Sequence, residues 1–136
     1  LCLYGNYGGD KMNFNQAIED VDFDDIKCTS VLVTDDVASA PNAEKNKRRG
    51  VAGMVFAYKV AGAAAKRMMN LEEVTAVAQK AVDNTRTMGV ALTPCIVPEV
   101  GKATFSVNED EIEIGMGIHG EKGIEVRKMM TANEVA

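Results

Sequence analysis

The 136 residues suit a single domain or parts of two, and 46% apolar with 26% charged residues excludes a disordered or collagen-like chain. A net charge of -5 and an isoelectric point near 4.9 argue against nucleic acid as a partner, because phosphate binding needs a basic face. No stretch approaches the roughly 18 consecutive apolar residues of a membrane span, and no basic-flanked signal peptide opens the sequence, so a cytoplasmic protein without a membrane partner is expected.

Leu1-Cys2-Leu3-Tyr4 reads as an apolar strand entered without a preceding turn or cap. A buried strand needs a partner at its edge, so this beginning predicts a fragment of a longer protein. Asn6-Tyr7-Gly8-Gly9-Asp10 follows as a glycine-rich turn, Lys11 to about Asp20 as a helix, and Ile26 to Val33 as a buried strand ending at Thr34-Asp35-Asp36. Strand, turn, helix and strand in that order form the βαβ unit of a parallel sheet. Ligands of such sheets sit at the carboxyl ends of the strands, the edge on which Asp10 and the pair Asp35-Asp36 fall. The loop over 37–46, with Pro41 and Asn42, marks a domain boundary. Residues 1–40 would then finish a first α/β domain, and 41–136 would form most of a second.

Beyond the boundary, Lys45, Lys47, Arg48 and Arg49 read as a solvated helix start, and Lys47 to Met69 as one long helix whose small residues allow close packing. Asn70 with Glu73 makes a capping box for the next helix, whose apolar stripe is Leu71, Val74, Val77, Ala78, Ala81 and Val82. From Gly89 the pattern becomes strand-like: Val90 to Val97, Thr104 to Val107, and the alternating Glu111-Ile112-Glu113-Ile114. The polar turn Asn108-Glu109-Asp110 predicts an antiparallel hairpin between the last two. The expected fold class is therefore α/β: the end of a parallel-sheet α/β domain followed by most of an α+β domain with antiparallel strands. Cys2, Cys28 and Cys95 are odd in number and lack CxxC spacing, so they read as small core residues, without a disulfide framework or a zinc site.

Few residues can carry chemistry. His119, the one histidine, stands between Gly117 and Gly120 at a strand end, where the glycines let a ligand approach. It is either a nucleophile or base, or a surface turn residue. Asp10 precedes a helix and can cap it, act as a general base toward a substrate hydroxyl, or do both. Asp35 and Asp36 could bind a metal, but two adjacent acids after a strand commonly start a loop; a single histidine excludes a His-rich site, and no metal site is assigned. Neither a GxxxxGK[ST] loop nor a GxGxxG turn is present, so any nucleotide must be held elsewhere.

Taken together, the segments Asn6-Tyr7-Gly8-Gly9-Asp10, Asp35-Asp36-Val37-Ala38, Arg48-Arg49-Gly50-Val51-Ala52-Gly53 and Ala61-Gly62-Ala63-Ala64-Ala65 resemble the dihydroxyacetone kinase substrate-binding subunit in order and spacing. Met88-Gly89-Val90-Ala91-Leu92, Cys95, Val97-Pro98, Gly101-Lys102 and Gly117-Ile118-His119-Gly120-Glu121 extend the resemblance over almost the whole chain. It implies that His119 adds through an imidazole nitrogen to the ketone carbon of dihydroxyacetone and holds it as a hemiaminal. Asp10 would hydrogen-bond the substrate and help to deprotonate the attacking hydroxyl, with Gly8 and Gly9 beside the ligand. ATP or ADP with Mg2+ would be carried by a partner subunit or fused domain, and a homodimer is implied.

Three positions depart from the family's pattern: Gly5 replaces a lysine, Gly8 a threonine or serine, and Lys122 a proline. The first two lie beside the substrate, which opens the alternative of a four-carbon ketose such as erythrulose. The family's upstream Gly-Gly-Gly-Ser-Gly-His-Glu-Pro segment is not in this stretch, so the stretch alone is expected to be inactive as a kinase. Two rivals are a ketone-binding transcriptional co-activator that keeps His119, and a purely structural α/β domain in which His119 and Asp10 lie far apart.

Overall fold

The computed structural model describes residues 1–96, 98–99, 101–103 and 105–136. Strand β1 (Cys2–Gly5) leads into helix α1 (Gly8–Asp22) and strand β2 (Ser30–Val33), and β2 pairs parallel to β1 with Leu3 opposite Val31 and Tyr4 opposite Leu32. The βαβ unit is thus present with shifted edges. Helix α1 starts three residues before the predicted Lys11, with Tyr7 as its N-cap, so Gly8, Gly9 and Asp10 form its first turn, and Asp10 is not the cap. The Lys11 N–H donates to the Tyr7 carbonyl at 3.0 Å, the first i to i+4 bond.

After a 3-10 segment (Asn42–Lys47), the chain runs extended through Arg48 before helix α2 (Gly53–Lys66) begins, so the predicted helix over Lys47 to Met69 is broken near its start. A buried carboxylate causes the break. Asp35 accepts the Val51 N–H at 2.9 Å and the Gly53 N–H at 2.8 Å, capping α2 from a residue far back in the sequence. Gly53 is required there, because a Cβ would collide with the Asp35 carboxylate. Helix α3 (Leu71–Asn84) opens on the predicted Asn70 and Glu73 capping box. Its stripe packs with α2 over the sheet, in a core of Val31, Val33, Ala57, Ala61, Ala64, Val74, Ala78 and Val82. Helices that follow residue 41 therefore cover strands that precede it.

The rest builds an antiparallel sheet in the order β3 (Val90–Ala91), β4 (Glu111–Ile114), β5 (Glu125–Lys128), followed by a short helix α4 (Ala132–Val135). The predicted hairpin of Thr104 to Val107 with Glu111 to Ile114 is not formed by the described residues 105–107; β4 pairs with β3 and β5 instead. Strand β5, with every residue exposed, carries no apolar alternation by which it could be recognised. The predicted strand ends at Val97 and Thr104 lie outside the described residues. Residues before β3 tie the two sheets together: the Thr87 N–H donates to the Asp35 carbonyl at 2.9 Å, and the Gly115 N–H to the Gly89 carbonyl at 2.7 Å.

Two further expectations are corrected. Cys95 is exposed and not a core residue, whereas Cys2 and Cys28 are partly buried. The basic cluster is split: Lys45 and Lys47 are solvated, but Arg48 is buried with its Nε on the Ala40 carbonyl at 2.9 Å, and Arg49 is almost buried against Asp36.

Candidate active site

Parallel pairing puts the carboxyl ends of β1 and β2 on one edge, where α1 begins and where Asp35 and Asp36 follow β2. Both aspartates are fully buried, at 0% and 1% exposure, so neither merely opens a solvated loop. The Asp35 carboxylate takes the two N–H groups that start α2 together with the Thr87 hydroxyl. Asp36 accepts both Nε and Nη2 of Arg49 at 2.9 Å on Oδ2, and the Ala38 N–H at 3.1 Å on Oδ1. Their donors are protein groups, and among the described residues no cluster of three or more metal-ligating side chains occurs.

From the other sheet, β4 runs into Gly115 at a φ of 82°, and Gly117 to Gly120 closes a turn with the Gly120 N–H on the Gly117 carbonyl at 3.1 Å. His119 lies in this turn with 62% of its side chain exposed. Two neighbours fix its ring. Tyr7 meets it edge to face at a centroid distance of 4.7 Å and an interplanar angle of 86°. The Glu121 carboxylate lies 3.3 Å from Nδ1 through Oε1 and accepts the His119 backbone N–H at 3.0 Å through Oε2.

Those neighbours are anchored in turn. The Tyr7 hydroxyl donates to the Gly50 carbonyl at 3.0 Å, and a Cβ on Gly5 would stand 2.7 Å from the Tyr7 ring. Burial, then the charge of Glu121 nearby, pushes the Tyr7 phenol up to about 12, so it stays a donor. Burial would raise the Glu121 carboxyl, but the backbone N–H groups of Glu121 and His119, with the His119 ring, outweigh this and hold it below the usual carboxylate range. Arg49 reaches Glu121 at 3.8 Å through Nη1 while donating to the Gly115 carbonyl at 3.0 Å through Nη2. It thereby ties the turn to Asp36 on the parallel sheet.

Asp10 lies on the first turn of α1, three residues after Tyr7, and so at the helix end that touches His119. It is not among the residues that line the cavity of about 570 Å3 beside His119, whose walls are largely apolar and include Val51, Val90, Phe105 and Met116. Gly8 and Gly9 are exposed, and a Cβ on either would meet nothing within 4 Å. Tyr7, Arg49 and Glu121 are site residues that sequence reasoning did not single out. Glu121, two residues after the only histidine, had a local signal; Arg49 had none, because its partners at positions 36 and 121 are distant in sequence.

A family model for the Dak1 domain matches residues 1–136. The chain belongs to the Dak1 domain family. It is 46% identical over its whole length to the dihydroxyacetone-binding subunit DhaK of a PTS-dependent dihydroxyacetone kinase of Listeria innocua, covering 41% of that protein. It is 44% identical, again over its whole length, to D-erythrulose kinase of Mycolicibacterium smegmatis, covering 23% of it. Among solved structures, the native dihydroxyacetone kinase of C. freundii superposes with a TM-score of 0.87 at 36% identity over 98% of this chain and 24% of that one. The co-activator DhaQ of a dihydroxyacetone kinase operon superposes at 0.85 with 30% identity over 98% and 41%. The chain thus spans about two-fifths of the DhaK subunit that it matches. Among the described residues no helix is long and apolar enough to cross a membrane.

Proposed function

We propose that this chain is part of the substrate-binding subunit of a cytoplasmic, homodimeric dihydroxyacetone kinase, in which His119 binds dihydroxyacetone covalently and Asp10 acts as general base. The observation that carries the reading is the His119 ring, exposed at the sheet edge with Nδ1 toward Glu121 and Nε2 left for a ligand. With Nδ1 protonated, the Nε2 lone pair forms the bond to the carbonyl carbon and the C=O π pair moves onto oxygen. The oxygen takes up one proton and the imidazole gives up its Nδ1 proton, so the addition needs no further reactant. Only a carbonyl compound can bind this way, which excludes glycerol by chemistry. Open space at Gly8 and Gly9 supports a ligand lying along the start of α1, between Asp10 and His119. ATP or ADP with Mg2+ would sit on a partner subunit or fused domain.

Gly8, smaller than the family's usual threonine or serine and with open space about it, together with the erythrulose kinase relative, favours a second reading in which the substrate is a four-carbon ketose. Packing of α2 and α3 on the parallel sheet supports moving the proposed domain boundary from about residue 40 to a position after α3.

The test uses the full-length protein with its phosphoryl-donating partner. His119→Ala is expected to abolish the adduct seen by intact mass with dihydroxyacetone after rapid quench. Asp10→Asn should keep the adduct and lower phosphoryl transfer by about 10²–10⁴-fold, as loss of a general base does. An adduct that survives His119→Ala but disappears in Asp10→Asn reverses the assignment. An adduct without any phosphoryl transfer in the unaltered protein favours a ketone-binding co-activator.

A further inference from the structure

We infer that Glu121, steered by Arg49, is a positioning residue that fixes the Nδ1–H tautomer of His119 and so decides which ring nitrogen meets the ligand. The inference rests on the covalent role proposed for His119.

Three observations converge on it. Both carboxylate oxygens of Glu121 are committed to the same residue, Oε2 to its backbone N–H at 3.0 Å and Oε1 to its Nδ1 at 3.3 Å. A carboxylate that is ionised can only accept, so the ring nitrogen facing it carries the proton and the other keeps its lone pair. Second, the carboxylate is not left to drift. Arg49, with 14% of its side chain exposed, stands 3.8 Å from Glu121 and is itself clamped by Asp36 and the Gly115 carbonyl. Third, the backbone makes room for the pair: a Cβ on Gly117 would overlap both Glu121 Oε2 and Arg49 Nη1. An incidental surface contact would not need a glycine beneath it.

Tyr7 adds a second contact, its ring standing nearly perpendicular to the imidazole. The imidazole is thus held by a carboxylate and an aromatic ring, and among the described residues Nε2 has no hydrogen-bond partner. Holding a nucleophile in one tautomer and one orientation prepares it for attack before the ligand arrives. A partner carboxylate of this kind on a metal-bound histidine is worth about 10–100-fold in affinity, and a similar loss of adduct is expected here.

The experiment takes the full-length protein unaltered and as Glu121→Gln, a change that keeps size and removes charge. Nitrogen-15 NMR of the imidazole, with the His119 signal assigned by its loss in His119→Asn, reads the tautomer directly. The unaltered protein should show Nδ1–H, and Glu121→Gln a mixture with Nε2–H. The dihydroxyacetone concentration that half-saturates the adduct should rise about 10–100-fold in the variant. A milder Arg49→Lys should shift tautomer and adduct in the same direction to a smaller extent. An unaltered protein that forms its adduct but holds Nε2–H, or a variant unchanged in both readouts, overturns this inference and leaves the covalent role standing. If the unaltered protein forms no adduct at all, the proposed function itself fails.

Discussion

Replacing Arg49 by methionine removes the charge while keeping an unbranched side chain, and it strands a carboxylate. Asp36 is 1% exposed, and on its Oδ2 atom Arg49 supplies two donors at 2.9 Å. Among the described residues the carboxylate then keeps only the Ala38 N–H, and the Gly115 carbonyl also loses a donor. Breaking a buried pair from one side costs about 3–5 kcal/mol, against ~0.2–1 kcal/mol for an exposed pair. Fourteen per cent exposure at the Arg49 side chain places this pair near the buried limit. Urea unfolding of the full-length protein, followed by far-ultraviolet circular dichroism, should therefore show a loss of roughly 3 kcal/mol or more. A double-mutant cycle with Asp36→Asn isolates the pair term. Asp36→Asn with Arg49→Met leaves no uncompensated charge and should recover much of the loss. A cost below about 1 kcal/mol for Arg49→Met alone, with no coupling to Asp36→Asn, would show that solvent screens the pair and would refute the reasoning.

Gly117→Ala should disturb the same network by crowding. The added methyl would overlap the side-chain ends of Glu121 and Arg49, which can shift, so the expected cost in stability is under about 1 kcal/mol while the ketone adduct weakens, and a wild-type adduct would contradict the packing. Tyr7 supplies an alkaline signature. Its phenol is raised from 10.0 to about 12 by burial and by Glu121, so its contribution to stability is complete below pH 10 and is lost as pH rises toward about 12. Stability measured over that window should fall less steeply in Tyr7→Phe, and a phenolate titrating near 10 in the folded protein would exclude the burial described.

How much was legible follows from the range of the interactions involved. The Asn70 and Glu73 capping box lies within one helical turn, and the structure forms it as predicted. The βαβ unit was legible for the same reason, since β1, α1 and β2 follow in order with clear apolar runs. The start of α1 is hidden in the sequence because Gly8 and Gly9 are poor helix formers, yet the first turn lacks intrahelical partners for its N–H groups anyway and tolerates them. The break before α2 was invisible for a different reason. Its cause is Asp35, whose carboxylate takes backbone donors at positions 51 and 53. Likewise β4 carries strict alternation, but its choice of β5 over the segment before it depends on the turn that Gly115 and Gly120 allow at positive φ.

The same contrast bears on the site. His119 and Asp10 stand out in the chain as candidates because reactive side chains beside glycines have a local appearance. The residues that aim His119 could not, because an ion pair between positions 36 and 49 that reaches on to 121 has no period and no spacing rule. Charges with so little solvent cost free energy to desolvate, and replacing such pairs with apolar groups often leaves a protein as stable or more so. The value of Asp36 and Arg49 is therefore better sought in register than in stability. Asp36 sits at the end of the parallel sheet, Glu121 in the turn beyond the antiparallel one, and Arg49 touches both. An apolar substitute could fill the space, but it would not specify where the His119 turn stands relative to the carboxyl edge of β1 and β2. In the proposed function, that relative position would decide whether a three- or four-carbon ketone can reach both His119 and the first turn of α1.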